Sequence, residues 1–178
     1  MNIFDILGPV MVGPSSSHTA GAVRIGYVAK YLLQDTPQHV KIFFYGSFAS
    51  TGTGHGTDRA VVAGLLGMKP DDIRIPDSFN YAKKAGLNYS FQQTELKNAH
   101  PNTVVLEMQG VNGRALTIQA SSLGGGRIMI NRLDGIDVNF TAEKPTLIVH
   151  NLDQPGHVAE VTSMLSHKCV NIATIQLN

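Results

Sequence analysis

The sequence lacks the features that mark several classes of protein. It holds one cysteine, Cys169, among 178 residues, which excludes an internal disulfide and a metal site made only from cysteines of this chain. No apolar run approaches the roughly 20 residues that a membrane-spanning helix needs. Residues 1–8 have neither the basic start nor the long apolar stretch of a signal peptide. We therefore expect a cytoplasmic protein with no membrane partner.

The chain also has little charge of either sign. Fourteen lysines and arginines against thirteen acidic residues leave a net charge of +1, and no basic cluster is present. Nucleic acid and anionic membrane surfaces are therefore not expected as partners. Apolar residues make up 43% and charged residues 15% of the chain, which is an ordinary composition for a folded domain rather than a disordered one.

The order of predicted elements indicates an α+β fold. Apolar spacings of three and four predict a helix within residues 20–34 that ends near Gln34, and a β-rich segment predicts a buried strand at 39–45. The other predicted elements are helices near 58–66 and 76–86 and strands at 89–96, 103–109, 114–121 and 127–136. Asn112-Gly113 between two of these strands is a strong hairpin signal. We expect helices packed on a mainly antiparallel sheet.

A composition break at residues 141–145 predicts two domains, at 1–142 and 143–178. The second has the pattern of a βαβ unit, with strands at 146–152 and 170–177 around a helix at 157–166. Such a unit is too small to bury both faces of a sheet by itself. We expect it to dock on something else or to form half of a larger module.

The first candidate site is the segment Gly13-Pro14-Ser15-Ser16-Ser17-His18-Thr19, directly before the first helix. Free N–H groups and the helix dipole favour an anion at a helix start. The hydroxyl groups add donors, and His18 adds a group that exchanges a proton near neutral pH. The alternative is an ordinary helix cap, made by Ser16, Ser17 or Thr19, beside a surface histidine.

The second candidate site is Gly52-Thr53-Gly54-His55-Gly56-Thr57-Asp58, which follows a predicted strand and precedes a helix. Its glycines let a ligand approach the backbone closely, and sites commonly lie where a strand ends in α/β layers. The alternative is a flexible turn with Thr57 or Asp58 as the helix cap. Two loops that each carry one histidine and each open a helix predict two walls of one pocket.

Other noticeable residues have simpler explanations. Gly64 is expected to serve helix packing, and Ser121-Ser122-Leu123-Gly124-Gly125-Gly126 is typical of a hairpin turn, although three glycines exceed what a turn requires. The remaining histidines show no metal-binding spacing, and neither a phosphate-binding Walker loop nor a dinucleotide-binding G-x-G-x-x-G is present. The two histidine loops therefore remain the candidates for chemistry.

These motifs together resemble a known family. FDILGPVMVGPSSSHTAGAVRIG, GSFASTGTGHGTDRA, SSLGGG and the ACT-like VHNLDQPGHVAEVTSML occur in this order along the chain. They are similar to the β subunit of iron–sulfur-dependent L-serine dehydratases, and the resemblance covers nearly the whole chain. It implies an allosteric-substrate-binding-like domain followed by a partial ACT-like unit, since an ACT fold has two βαβ halves and only one is present here.

The resemblance implies a partner and a division of labour. In this family an α subunit carries a [4Fe–4S] cluster that acts on the hydroxyl of L-serine while a base removes the α-proton, giving pyruvate and ammonia. The lone Cys169 fits this division, because the cluster's thiolates must then come from the partner. We expect a hetero-oligomer and no metal bound by this chain.

The resemblance also implies roles for particular residues. His18 and His55 become the candidates for proton transfer. The residues expected to bind or enclose the substrate are Ser15, Ser16, Ser17 and Thr19 around its carboxylate and Gly56, Thr57 and Asp58 on the second wall. In the ACT-like unit, Asp153, Pro155 and Gly156 lie in a loop that contacts an amino acid in many ACT domains; a tight strand-to-helix turn is the alternative there.

Two other functions fit parts of the sequence. One is a regulatory domain that binds an amino acid without catalysis, and the other is a phosphate-handling hydrolase that uses His18, His55 and Asp58. A dehydratase needs a cysteine-rich partner to form pyruvate, whereas a sensor binds serine alone. This difference separates the first two possibilities experimentally.

Overall fold

The computed structural model describes residues 10–52, 54–152 and 154–177. The chain forms two compact units, Met1–Lys144 and Pro145–Asn178. Each is described by itself below.

The first unit is built on a six-stranded sheet with the order β2-β1-β3-β4-β5-β6. β1 pairs in parallel with β2, and every other neighbouring pair is antiparallel. The strands are β1 (Pro37–Gly46), β2 (Asn88–Gln93), β3 (Asn102–Gly110), β4 (Ala115–Gly124), β5 (Arg127–Leu133) and β6 (Ile136–Phe140). The prediction of a mainly antiparallel sheet in an α+β fold is confirmed.

Four helices accompany this sheet: α1 (Ala22–Leu33), α2 (Ser47–Thr51), α3 (Thr57–Leu65) and α4 (Ser78–Ala85). Alternate residues of the central strands, such as Ile42, Leu106 and Ile118, are fully buried and share one hydrophobic core with the helices. α1 contacts β3 and β4, and α3 packs against both α1 and α4. Burial of these apolar faces supplies the main favourable term in folding.

Helix boundaries follow the local signals in the sequence closely. α1 ends where predicted, with Gln34 in the left-handed conformation at φ 51°. Its start differs: a π-helical turn, Ser16–Gly21, precedes it, and Ser15 is the capping residue. The predicted caps Ser16, Ser17 and Thr19 are therefore wrong. The hydroxyl that accepts a backbone N–H is the one that stands just before the first turn, which is where a cap must lie.

The sheet departs from the prediction at both edges. β2 is parallel to β1, not part of an antiparallel meander, because the helices between the two strands carry the chain back to the same end of the sheet. The single strand predicted at 127–136 is a hairpin of β5 and β6. Asp134 and Gly135 both have positive φ there, at 48° and 84°, which is the requirement of a type I′ turn and a common use of Asp-Gly.

The second unit contains one helix, α5 (His157–His167), as predicted. The predicted strands at 146–152 and 170–177 are wrong, since neither range forms a strand. A strand exists only when a neighbour pairs with it, and a β-rich composition alone does not supply that neighbour. The apolar side chains of these ranges, Leu147 and Leu177 among them, are exposed instead.

Among the described residues, no helix is both long enough and apolar enough to cross a bilayer.

Candidate active site

The two histidine loops lie side by side at the end of β1. The ring centroids of His18 and His55 are 5.1 Å apart, and Thr19 Oγ1 donates a hydrogen bond to the His55 carbonyl oxygen at 3.4 Å. The loops are 36 residues apart in sequence at that contact. The two loops are therefore neighbours in the fold, while the prediction that they form two walls of one pocket stays a prediction.

The ring of His18 is held by hydroxyl groups on both of its nitrogens. Nε2 lies 3.1 Å from Ser47 Oγ and 3.0 Å from Thr51 Oγ1. Nδ1 lies 3.4 Å from Ser15 Oγ, which also accepts the backbone N–H of His18 at 3.0 Å. The buried ring of Phe48 meets the imidazole edge-on, with centroids 5.2 Å apart. These contacts fix both the position and the orientation of the ring.

The environment of His18 favours its neutral form. Partial burial lowers the pKa of its imidazole, and the positive charge that His55 carries when protonated lowers it further; the backbone carbonyl of Ser47 acts in the opposite direction. Burial has this effect because an imidazolium ion loses hydration in a protein interior. A neutral imidazole at physiological pH is able to accept a proton.

The second wall is formed by the start of α3. Gly56 precedes the helix in the left-handed conformation, and no side chain caps the helix, so the prediction of Thr57 or Asp58 as cap is wrong. Asp58 Oδ1 instead accepts the N–H of Arg59 at 2.8 Å. Thr57 is fully buried, and its hydroxyl has no hydrogen-bond partner among the described residues. Thr53 of the same loop lies outside those residues.

A third segment borders the serine loop. Ser122 Oγ donates to the Ser17 carbonyl oxygen at 3.0 Å, and the Gly125 N–H donates to Ser16 Oγ at 3.3 Å. Arg24, on α1, donates to the Gly126 carbonyl oxygen at 3.0 Å. The glycine-rich turn between β4 and β5 therefore supports the serine loop. The sequence predicts only a hairpin turn here and not this contact.

The group of side chains around His18 and His55 is open to solvent rather than enclosed. Thr51 and His55 are exposed, and Ser15, Ser47 and His18 are half-buried. Two cavities of the described residues do not include the histidines: one of about 290 Å³ is lined by Phe43, Arg132 and neighbours on the sheet, and one of about 460 Å³ is lined by Tyr45, Glu95 and the Ser50 face of α2. The described residues of the first unit therefore flank the two histidines but leave one side of them exposed to solvent.

The residues of this chain do not fit an iron–sulfur cluster. Such clusters are held mainly by several cysteine thiolates. Cys169 is the one cysteine of the sequence and is exposed, and no group of three or more His, Cys, Asp or Glu residues in the described parts of the chain is arranged to hold a metal ion. A cluster would need ligands from another chain.

The sequence analysis does not identify two residues that contact the His18 ring, Ser47 and Thr51. They lie on α2, a five-residue helix between β1 and the second candidate loop, where the sequence analysis predicts no element. Their spacing of four places both hydroxyls on one helical face. The signal that could have revealed the helix is the apolar Phe48 between them, which packs into the core.

The predicted regulatory loop belongs to the second unit. Pro155 and Gly156 are exposed, and Gly156 precedes α5 with φ 99°. Asn151 Nδ2 lies 2.7 Å from His157 Nδ1 across this turn. Asp153 lies outside the described residues. Ligand binding at this loop stays a prediction.

The structure is that of an α+β domain in which hydroxyl side chains surround two neighbouring histidines on an open face. Comparison with known proteins identifies the family. The family model "Serine dehydratase beta chain" matches residues 2–86. The chain is 44% identical over 173 residues to the L-serine dehydratase β chain of Peptoniphilus asaccharolyticus, covering 97% of this chain and 78% of that protein.

Two further relatives are also named as L-serine dehydratases or their β chains. The probable L-serine dehydratase β chain of Bacillus subtilis is 39% identical over 176 residues, covering 99% of this chain and 80% of that protein. L-serine dehydratase 2 of Escherichia coli is 28% identical over 190 residues, covering 93% of this chain and 41% of that protein. The chain belongs to the serine dehydratase β chain family.

Proposed function

We propose that this chain is the β subunit of an iron–sulfur-dependent L-serine dehydratase and that it contributes carboxylate-binding and acid–base residues to the conversion of L-serine into pyruvate and ammonia. The observation that carries the proposal is the pairing of His18 with His55 beside a serine-rich helix start. Membership of the serine dehydratase β chain family supports the substrate and the reaction.

The serine loop suits the carboxylate of an amino acid. The N–H groups of Ser16 and Ser17 stand in the first turn of a helical segment, where no intrahelical acceptor is available to them. N–H groups at such a position, together with the positive end of the helix dipole, favour an anion. The hydroxyls of Ser16 and Ser17 offer further donors, while Ser15 and Thr19 line the same loop and Thr19 Oγ1 donates to the His55 carbonyl oxygen. We therefore place the substrate carboxylate at this loop.

The two imidazoles suit proton transfer to and from a bound substrate. His18 is the stronger candidate for a base, because its surroundings keep the ring neutral and fixed. His55, which is exposed beside it, would orient the substrate or exchange protons with solvent. Gly56, Thr57 and Asp58 would shape the wall behind it, with Thr57 fully buried within that wall.

The solvent-exposed side of the two-histidine site is suited to contact with a partner subunit. In this proposal an α subunit holds the [4Fe–4S] cluster, which supplies Lewis acidity when bound, since this chain lacks the ligands for it. The subunit would cover the exposed residues around His55 and complete the site. A cluster of this kind needs reduced thiolates, so we place the pair in the cytoplasm.

The test uses anaerobic reconstitution of the chain with its cluster-bearing partner. We expect pyruvate from L-serine only in the mixture. His18→Ala and His55→Ala should each reduce turnover by about 10²–10⁴-fold, the range typical of a lost general acid or base. The exposed His39 of β1 provides the matched control, and His39→Ala should retain wild-type turnover.

Two outcomes would contradict the proposal. Near wild-type turnover of both His18→Ala and His55→Ala would remove the histidines from the chemistry. Tight serine binding by the isolated chain, with no pyruvate formed after addition of the partner, would favour a regulatory domain instead.

A further inference from the structure

The short helix α2 holds its two hydroxyl residues rigidly against His18. Gly46 turns the chain out of β1 with a positive φ of 58°, and the N–H of Ser47 donates to the Pro101 carbonyl oxygen at 2.8 Å. Phe48 anchors the helix in the core, where its ring meets that of Phe44 at 6.1 Å. The side chains of Ser47 and Thr51 therefore approach Nε2 of His18 from a fixed support.

The hydrogen bonds of Thr51 determine what it offers to the imidazole. Thr51 Oγ1 donates to the Ser47 carbonyl oxygen at 2.8 Å, and a hydroxyl has only one proton to give. With that proton given to the Ser47 carbonyl, Oγ1 presents a lone pair to His18 Nε2 at 3.0 Å, and Ser47 Oγ, 3.1 Å from the same nitrogen, accepts in the same way when Nε2 carries the proton. A nitrogen that makes a hydrogen bond to a lone pair must carry the proton itself. This contact favours the tautomer with hydrogen on Nε2.

The other nitrogen of His18 is in the opposite situation. Ser15 Oγ accepts the backbone N–H of His18 at 3.0 Å, so its own proton remains available. That proton is able to point towards Nδ1, 3.4 Å away, where an unprotonated nitrogen can accept it. Both sides of the ring therefore favour the same tautomer, and Nδ1 faces the serine loop.

We propose that Ser47 and Thr51 are positioning residues that hold His18 as its Nε2-protonated tautomer and leave Nδ1, on the Ser15 side, as the nitrogen that accepts a proton. The catalytic part of this inference rests on the proposed function, because it takes the substrate to lie at the serine loop. A proton taken up at Nδ1 displaces the hydrogen bond from the Ser15 hydroxyl and gives an imidazolium ion whose Nε2–H bond to α2 stays in place.

The direct test is a ¹⁵N NMR measurement on the full chain with labelled histidine, made above the pKa of His18. The His18 resonances are assigned by their loss in His18→Gln. We expect the wild type to show a protonated Nε2 and an unprotonated Nδ1. Thr51→Val keeps the shape of the side chain without its hydroxyl, and we expect it to shift His18 towards a mixture of both tautomers.

Three further variants test whether the hydroxyls themselves matter. Ser47→Ala should shift the tautomer balance in the same direction as Thr51→Val. Thr51→Ser should restore the wild-type spectrum because it restores the hydroxyl. Ser50, exposed on the same helix, gives the matched control: Ser50→Ala should leave the His18 resonances unchanged.

The second test measures turnover of the same variants in the complex with the partner subunit. Thr51→Val should lower kcat by about 10- to 100-fold, the effect of a misplaced catalytic group, with little change in KM. Thr51→Ser should recover most of the loss. A structural defect in the site would instead change KM as well and would persist in Thr51→Ser.

Several results would overturn the inference. A wild-type His18 with its proton on Nδ1, or an unchanged tautomer in both Thr51→Val and Ser47→Ala, would show that α2 does not select the tautomer. A shifted tautomer with unchanged kcat would show that the selection has no role in catalysis. The NMR result does not depend on activity, so wild-type turnover by His18→Ala would contradict the proposed function without deciding the tautomer.

Discussion

His18 and His55 are close enough for the charge of one to affect the other. The pKa of His18 is lowered by burial and by His55. An exposed histidine titrates near pH 6.5, so a protein that uses His18 as a base should retain activity below that pH. The same lowered pKa makes folding dependent on pH. Because the unfolded chain binds this proton at a higher pH than the folded chain does, the contribution of His18 to stability falls as the pH drops below about 6.5.

We predict that His55→Gln raises the pKa of His18. Glutamine keeps a side chain of similar length over the His18 ring but removes the positive charge, so protonation of His18 becomes easier. An NMR titration of the His18 ring protons measures the change. His39→Gln, far along β1 from the site, is the control and should leave the titration of His18 in place. An unchanged or lowered pKa in His55→Gln would show that the two rings do not interact electrostatically.

The sequence could predict the loops of the site but not every residue in them. Hydroxyls and a histidine before a helix indicate an anion site through local chemistry alone, and the structure places His18 there. Which serine caps the helix depends on where its first turn begins, and that turn is π-helical from Ser16. Ser47 and Thr51 become partners of His18 only through the tertiary fold, so no local pattern identifies them as such.

The crossing of α1 and α3 connects the two loops at the level of whole elements. α1 continues the π-helical turn that carries His18, and α3 begins two residues after His55, so the packing of these helices affects the distance between the imidazoles. Gly26 of α1 and Gly64 of α3 face each other at the crossing. A Cβ atom on Gly26 would overlap the Val61 carbonyl oxygen, and one on Gly64 would overlap the Val23 carbonyl oxygen. The predicted packing role of Gly64 is confirmed.

We predict that Gly26→Ala and Gly64→Ala each destabilise the protein by about 2 kcal/mol, despite alanine's higher helix propensity, because the atoms in the way are backbone and cannot move aside. For a chain of this length that corresponds to a fall in Tm of roughly 4–8 °C. Thermal unfolding followed by circular dichroism measures the effect. Tyr31→Ala, on the exposed face of α1, is the control and should change Tm by little.

An unchanged Tm in both glycine variants would contradict this account of the crossing. The same variants should also lower turnover in the reconstituted enzyme, since separating the helices separates His18 from His55. A lower Tm with full turnover would show that the crossing stabilises the fold without setting the geometry of the site.

Elements were predictable where the signal is local. Helix ends at Gln34 and Gly86 follow from residues that adopt left-handed conformations, and the Asn112-Gly113 turn joins β3 to β4 as expected. The direction of β2 was not predictable, because a parallel and an antiparallel strand carry the same alternation. The β5–β6 turn was available in the sequence as Asp134-Gly135 but lies inside a segment whose β-propensity is continuous.

At the scale of the whole molecule, stability is concentrated in the first unit. Among the described residues, every buried hydrophobic side chain of the core lies between Ala20 and Ile130. In the second unit α5 has no buried residue, and the ranges on either side of it form no strand. The composition break at 141–145 gave the approximate position of this division. What the sequence could not give is whether the apolar residues beyond the break find a partner within the chain.

We predict that a chain ending at Lys144 keeps the Tm of the full chain to within about 2 °C, because the residues removed bury too little apolar surface to contribute more than about 1 kcal/mol. Differential scanning calorimetry of both chains measures this. Leu106→Ala in the full chain is the reference for a true core defect and should cost about 2–5 kcal/mol. A fall in Tm comparable to that of Leu106→Ala would show that residues 145–178 stabilise the first unit. An unchanged Tm would instead leave this segment free to act through other contacts, including the amino-acid binding predicted for its Pro155-Gly156 loop.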